Sequence, residues 1–163
     1  QKDMYSSYKE WSNIKMLHRV KAYEQAAKAY EKLYPSLGYE PAFLFEYAQC
    51  LSNQKEYLLS NLYLEKATRL KVDPMIYNVM AKNYQAMGNY KEAERWLWKS
   101  VHLLPERIYP YYLLTKLYAD PGYNKLDKAR EMAQIVLTKE PKVHSQAIQE
   151  MRNEVRNFVD LKK

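Results

Sequence analysis

Two columns of residues in this chain have types and spacing that could do chemistry. The first is Trp11, Phe45, Asn78 and Tyr112; the second, four residues further on at each step, is Lys15, Gln49, Lys82 and Lys116. Residues four apart on a helix share a face and adjoin, so each step sets a mostly aromatic member beside a mostly lysine one. The chemistry is recognition rather than catalysis. Lysine is a flexible point charge that suits carboxylates or phosphates without demanding one geometry, and Tyr and Trp are favoured anchors at binding surfaces. Against this stands an ordinary reading: lysine is a good helix former at exposed positions, and some of the aromatics pack between neighbouring structural units.

Catalytic and cofactor signatures are missing. A loop that cradles phosphate needs clustered glycines so that backbone N–H groups can approach the anion, and Gly38, Gly88 and Gly122 stand alone. His18, His102 and His144 are far apart, with no His-x-x-x-His or Glu-x-x-His spacing for a metal, and no Gly-x-Ser-x-Gly elbow occurs. Cys50 is the single cysteine, which excludes an internal disulfide and a cysteine metal cluster. The chain is therefore expected to hold no catalytic residue, no metal and no cofactor, and not to be an enzyme.

The elements that must carry the two columns are legible from a repeat. Between Tyr77 and Pro105 the chain reads Tyr77, Met80, Ala81, Tyr84, Gly88, Tyr90, Ala93, Leu97 and Pro105, spacings that resemble a tetratricopeptide repeat, a helix–turn–helix unit of about 34 residues. Leu44, Tyr47, Ala48, Leu51, Tyr57, Leu64 and Ala67 repeat it upstream, Ala81 following Ala48 by 33 residues. Tyr111, Leu114, Thr115 and Tyr118 with Ala129, Ala133 and Pro141 repeat it downstream. There the turn from Asp120 to Asn124 is about two residues longer than its counterpart at Gly88. A weaker first copy holds Trp11, Ile14, Leu17, Tyr23, Ala26, Tyr30 and Leu33. Such a unit cannot bury its apolar face alone. The pattern thus predicts an all-α, right-handed superhelical solenoid forming one domain, with units at about 5–38, 41–73, 74–107 and 108–142. A capping helix over about 145–161 follows, from Ile148, Met151, Val155 and Phe158.

The resemblance also implies where a ligand would sit, because the first helix of each tetratricopeptide pair lines the concave groove. Counted from the small core position (Ala48, Ala81, Thr115 and, less well, Ile14), both columns fall on that side. Asn78 and Lys82 give one unit a partial likeness, in residue type, to the chaperone-docking members of the group. Phe45 and Gln49 depart from it one unit earlier, so that function does not carry over. The recurrent tyrosines Tyr23, Tyr30, Tyr47, Tyr57, Tyr77, Tyr84, Tyr90, Tyr111 and Tyr118 are expected to pack helix on helix, their hydroxyls reaching a polar partner.

Composition bounds the partner. The 163 residues carry a net charge of +7, divided evenly along the chain and without a basic tail. This argues against nucleic acid, which calls for a basic stripe beside aromatics, and leaves either a solvated helical surface or attraction to an anionic partner. No run of 18 apolar residues is present to span a membrane, and no signal peptide is visible. The chain begins with Gln1, which points to processing or to a piece of a longer protein. The leading expectation is a non-catalytic module binding a protein or peptide of acidic character; the alternatives are a glycan-binding accessory domain using Trp11, Phe45, Tyr112 and the lysines, or a self-associating spacer.

Longer runs add a second resemblance. Tyr30-Glu31-Lys32-Leu33-Tyr34-Pro35, Pro41-Ala42-Phe43-Leu44-Phe45-Glu46-Tyr47, Asp73-Pro74-Met75-Ile76-Tyr77-Asn78, Pro105-Glu106-Arg107-Ile108-Tyr109-Pro110-Tyr111-Tyr112 and Lys139-Glu140-Pro141-Lys142-Val143 with Glu150-Met151-Arg152 together resemble the soluble C-terminal region of O-antigen ligase-like membrane proteins of Gram-negative bacteria. In that group a multi-helix membrane portion carries the glycan-transfer chemistry and the repeats trail it. The resemblance implies a periplasmic location at the inner membrane and a role in surface-polysaccharide assembly, with membrane attachment only through a preceding portion.

Overall fold

The computed structural model describes residues 3–160, all of whose regular structure is helical. The helices are α1 (Met4–Arg19), α2 (Tyr23–Leu37), α3 (Pro41–Asn53), α4 (Tyr57–Leu70), α5 (Pro74–Ala86), α6 (Tyr90–Leu103), α7 (Tyr109–Ala119), α8 (Leu126–Thr138) and α9 (Gln146–Asp160). They follow one another as helix–turn–helix pairs with a terminal helix; the expected end of the last helix at Leu161 lies outside the described residues. The chain divides into two compact units, Gln1–Ile76 and Tyr77–Lys163, the division falling inside α5.

In the first unit α1 packs on α2, α2 on α3 and α3 on α4. Trp11, Ile14, Ala26, Tyr30, Leu33, Leu37, Phe43, Tyr47, Cys50 and Leu51 form its core. Ala26 and Ala48 are fully buried and let the paired helices approach. Larger rings fill the space around them: Tyr30 stacks on Tyr47 at 5.5 Å between centroids, and Tyr47 on Tyr63 at 4.7 Å. Cys50 donates to the Tyr23 carbonyl at 3.0 Å, and burial pushes its thiol up to about 11, so it behaves as a small core residue. Pro35 lies in the last turn of α2, which closes through the Gly38 N–H on the Tyr34 carbonyl at 2.8 Å. A proline there forfeits one N–H bond next to a helix end, where the ladder is already running out.

In the second unit α6 packs on α7, α7 on α8, and α9 on both α7 and α8; the Tyr77 ring of α5 meets Trp96 of α6 at 5.2 Å. Ile108, Ala133, Val136 and Val155 are buried together, with Ile148, Met151 and Phe158 of α9 packed against them. The apolar stripe of α9 therefore covers α8 as a cap should. Asp73 and Pro74 start α5 as their types predict: the Asp73 carboxylate accepts from the Met75 N–H at 2.9 Å, and Pro74 is the first helical residue, where its missing N–H costs nothing.

Every turn inside a hairpin is built alike. Lys21, Lys55, Gly88 and Asn124 have φ of 63°, 64°, 78° and 51°, and each lies two residues before the second helix of its pair. The longer fourth turn is organised by Asp120, whose Oδ1 accepts from the Gly122 N–H at 2.9 Å. The fully buried Tyr118 and the half-buried Tyr123 send their hydroxyls to the Glu94 carboxylate on α6, Tyr118 at 2.6 Å, and the Trp98 indole N–H completes the set on Tyr118 Oη at 3.0 Å.

Candidate functional site

Within the first unit, α1 presents Trp11 and Lys15 one turn apart. The indole is not free: at 9% exposure it sits in the core, edge-on to Phe43 at 5.6 Å, and its Nε1–H donates to Glu46 Oε2 of α3 at 3.0 Å. Lys15 Nζ lies 4.6 Å from the indole centroid, a cation–π contact. Burial raises the Glu46 carboxyl above its ordinary range, partly offset by the Lys15 charge and the indole N–H. Phe45 and Gln49 on α3 are each half-buried, and this step contains no cation.

In the second unit the columns separate by exposure. Asn78 is 4% exposed, and its amide oxygen has no hydrogen-bond partner among the described residues, a costly arrangement for a buried acceptor. Lys82, one turn on, is exposed and makes no ion pair among the described residues. Tyr112 and Lys116 on α7 form an aromatic–lysine step like Trp11 and Lys15. Lys116 Nζ lies 5.2 Å from the Tyr112 ring centroid and 3.4 Å from its hydroxyl. Glu154 of α9 comes within 3.9 Å of the same ammonium. Burial, then Glu154, pushes the Tyr112 hydroxyl well above its ordinary value.

Lys82 and Lys116 line one cleft of about 620 Å3, together with Gln85, Tyr90, Leu113 and Asp120. Its polar floor is already satisfied. Asp120 Oδ2 accepts from Gln85 Nε2 at 3.1 Å and Oδ1 from Tyr90 Oη at 3.2 Å; the Gly122 N–H foremost, with those two donors, holds the carboxyl below its usual range. Of the two ammonium groups, that of Lys82 makes no ion pair among the described residues, and that of Lys116 meets only the half-exposed Glu154 and the Tyr112 hydroxyl. Sequence reasoning selects both lysines but misses Gln85, Tyr90, Asp120 and Glu154. Tyr90 reads as a packing residue. Asp120 lies in a turn longer than the repeat, and nothing in the spacing of α9 says which helix it will lie beside. Among the described residues no group of three His, Cys, Asp or Glu could hold a metal ion, and no helix is long and apolar enough to cross a membrane.

No family model and no curated protein matches the chain. Solved structures do. MamA (residues 41 to the end) from Desulfovibrio magneticus RS-1 is 17% identical over 96% of this chain and 97% of that one, with a TM-score of 0.73. YrrB, described as a TPR protein with an unusual peptide-binding site, is 14% identical over 92% and 76%, TM-score 0.64. The fold is of the tetratricopeptide-repeat type. The type III secretion chaperone SycD of Yersinia enterocolitica, solved with a peptide of the translocator YopD, is similar at 14% identity over 95% of each chain, TM-score 0.60. At these identities the likeness is one of fold.

Proposed function

We propose that this domain is a non-catalytic interaction module that binds an acidic, extended segment of a protein partner in the Lys82–Lys116 cleft. The observation that carries this reading is the convergence of two lysines, from the first helices of consecutive hairpins, on one cleft whose own carboxylate, Asp120, is already engaged. The peptide complex of SycD and the peptide-binding site of YrrB support a peptide as the class of ligand on this fold. A glycan is favoured less, since the Trp11 face that would stack on a sugar is buried. The test is a titration with a fluorescein-labelled oligoglutamate peptide, with oligogalacturonate as the glycan arm, at low and moderate salt. The peptide is expected to bind, more weakly as salt screens the lysines, and Lys82→Glu with Lys116→Glu is expected to abolish binding. Unchanged affinity after that double swap would remove the proposal, and binding of oligogalacturonate alone would replace it with the glycan reading.

The setting proposed for the module is the periplasmic side of a Gram-negative inner membrane, as the trailing part of an O-antigen ligase-like protein. It rests on the sequence runs from Tyr30 to Arg152. Several apolar stretches of about 20 residues upstream of Gln1 are what that parentage requires.

A further inference from the structure

The two aromatic–lysine steps share a feature that neither column contains. In each, a carboxylate from a later helix of the same unit has moved in beside the pair: Glu46 of α3 on the Trp11 indole at 3.0 Å, and Glu154 of α9 at 3.9 Å from Lys116 Nζ. The two differ in how firmly they are held. Glu46 is half-buried and tied to a ring in the core, so it is structural. Glu154 and Lys116 are about half exposed, 46% and 47%, and an ion pair of that length and exposure is held by little free energy. Lys116 is at the same time a wall of the cleft.

We propose that Glu154 is an internal stand-in for the ligand's carboxylate. It holds Lys116 when the cleft is empty, an acidic peptide must displace it, and α9 thereby sets the affinity of the site. The proposal rests on the peptide-binding reading above. Among the groups near Lys116, Tyr112 and Glu154 reach its ammonium; Lys82, Gln85 and Asp120 line the same cleft, Asp120 four residues on at the end of α7. Lys116 is the cleft cation that Glu154 already meets, so an incoming carboxylate competes with Glu154 there. The anchor of α9 does not depend on Glu154. Val155 is fully buried, and Arg152 donates from Nε to the Val136 carbonyl at 3.0 Å and from Nη2 to the Lys139 carbonyl at 2.6 Å.

The experiment uses the whole chain and the oligoglutamate peptide at low salt. Glu154→Gln is expected to tighten binding about two- to fivefold, the fold-change equivalent to removing one exposed ion pair, and the gain is expected to vanish when Lys116→Gln is added. Glu150→Gln is the control: it changes net charge equally on the same helix, but Glu150 accepts from Gln146 at 3.1 Å and does not line the cleft, so it is expected to give less than half that gain. Glu154→Asp, which retracts the carboxylate by one methylene and preserves the charge of α9, is expected to fall between wild type and Glu154→Gln, and it keeps the test alive should Glu154→Gln fold poorly. Wild-type affinity in Glu154→Gln, or an equal gain in Glu150→Gln, overturns the inference; if Lys82→Glu with Lys116→Glu still abolishes binding, the peptide reading survives. Absence of binding in wild type and every variant overturns both.

Discussion

At the scale of single residues, three carboxyl groups and one imidazole set how the molecule responds to acid, and they pull in opposite directions. Glu46 in the first unit is raised above its ordinary range, chiefly by burial. Its charged form is disfavoured on folding, so it contributes stability as pH falls through its folded pKa. Glu94 and Asp120 in the second unit are depressed. Burial pushes Glu94 up, but the Tyr118 and Tyr123 hydroxyls and then Lys128 and Lys125 outweigh it; Asp120 is held down first by the Gly122 N–H. Their stabilisation is complete above the unfolded carboxyl values, roughly 4, and is lost as pH falls through the depressed folded values. His18 in the first unit is lowered by burial, so the unfolded chain takes up that proton first. Acidification through roughly 6.5 is therefore expected to cost the first unit stability before Glu46 returns some at lower pH; the second unit is expected to weaken only once pH passes below about 4. Unit-resolved amide exchange measures this directly, and Glu94→Gln is expected to flatten the acid limb of the second unit. A second unit that loses stability before the first on the descent from neutrality would show the assignment of these groups to be wrong.

At the scale of elements, the hairpin turn is the unit of construction, and it shows where the sequence is legible. Gly88 and, less strongly, Asn124 are the left-handed turn residues that announce themselves by type. The two lysines, Lys21 and Lys55, give no local signal in that conformation, because packing of the flanking helices overrides the roughly 1 kcal/mol penalty of a Cβ there. A Cβ on Gly88 would meet nothing within 4 Å, so Gly88→Ala isolates the backbone term and is expected to cost about 1 kcal/mol. Lys55→Gly is expected to gain about 0.5 kcal/mol, the relief of the left-handed strain less the extra freedom of glycine in the unfolded chain. Urea denaturation at constant slope reads both, and a loss of stability in Lys55→Gly would contradict the strain argument. The hairpins themselves were readable because small residues recur at Ala48, Ala81 and Thr115, where helices approach closely. The placement of Trp11 in the core, and of Glu154 beside Lys116, was not. Periodicity tells which residues share a face, but the neighbour that reaches that face is chosen by tertiary packing.

At the scale of the whole molecule, the last helix pair needs its outer face covered, and α9 covers it. Its apolar stripe covers Ile108, Ala133 and Val136, and its Arg152 satisfies two carbonyls, those of Val136 and Lys139, at the C-terminal end of α8, groups that a helix end otherwise leaves open. Deleting residues 146–163 uncovers Val136 and Ile108, each worth about 1.5–3 kcal/mol when fully buried. The loss is therefore about 3–6 kcal/mol by the same scale, a large share of the 5–15 kcal/mol that holds an ordinary domain. The truncated chain is expected to melt far lower. It should also form larger species than the intact chain in light scattering, because the uncovered face of α8 is the kind of surface on which the next repeat would have stacked. Deletion also releases Lys116 from Glu154, yet any change in peptide affinity would then be confounded with loss of the fold, which is why the point substitution rather than the truncation tests the competition. An intact melting temperature and unchanged particle size after deletion would show that α9 is dispensable as a cap and lies on the second unit only through contacts such as Lys116–Glu154.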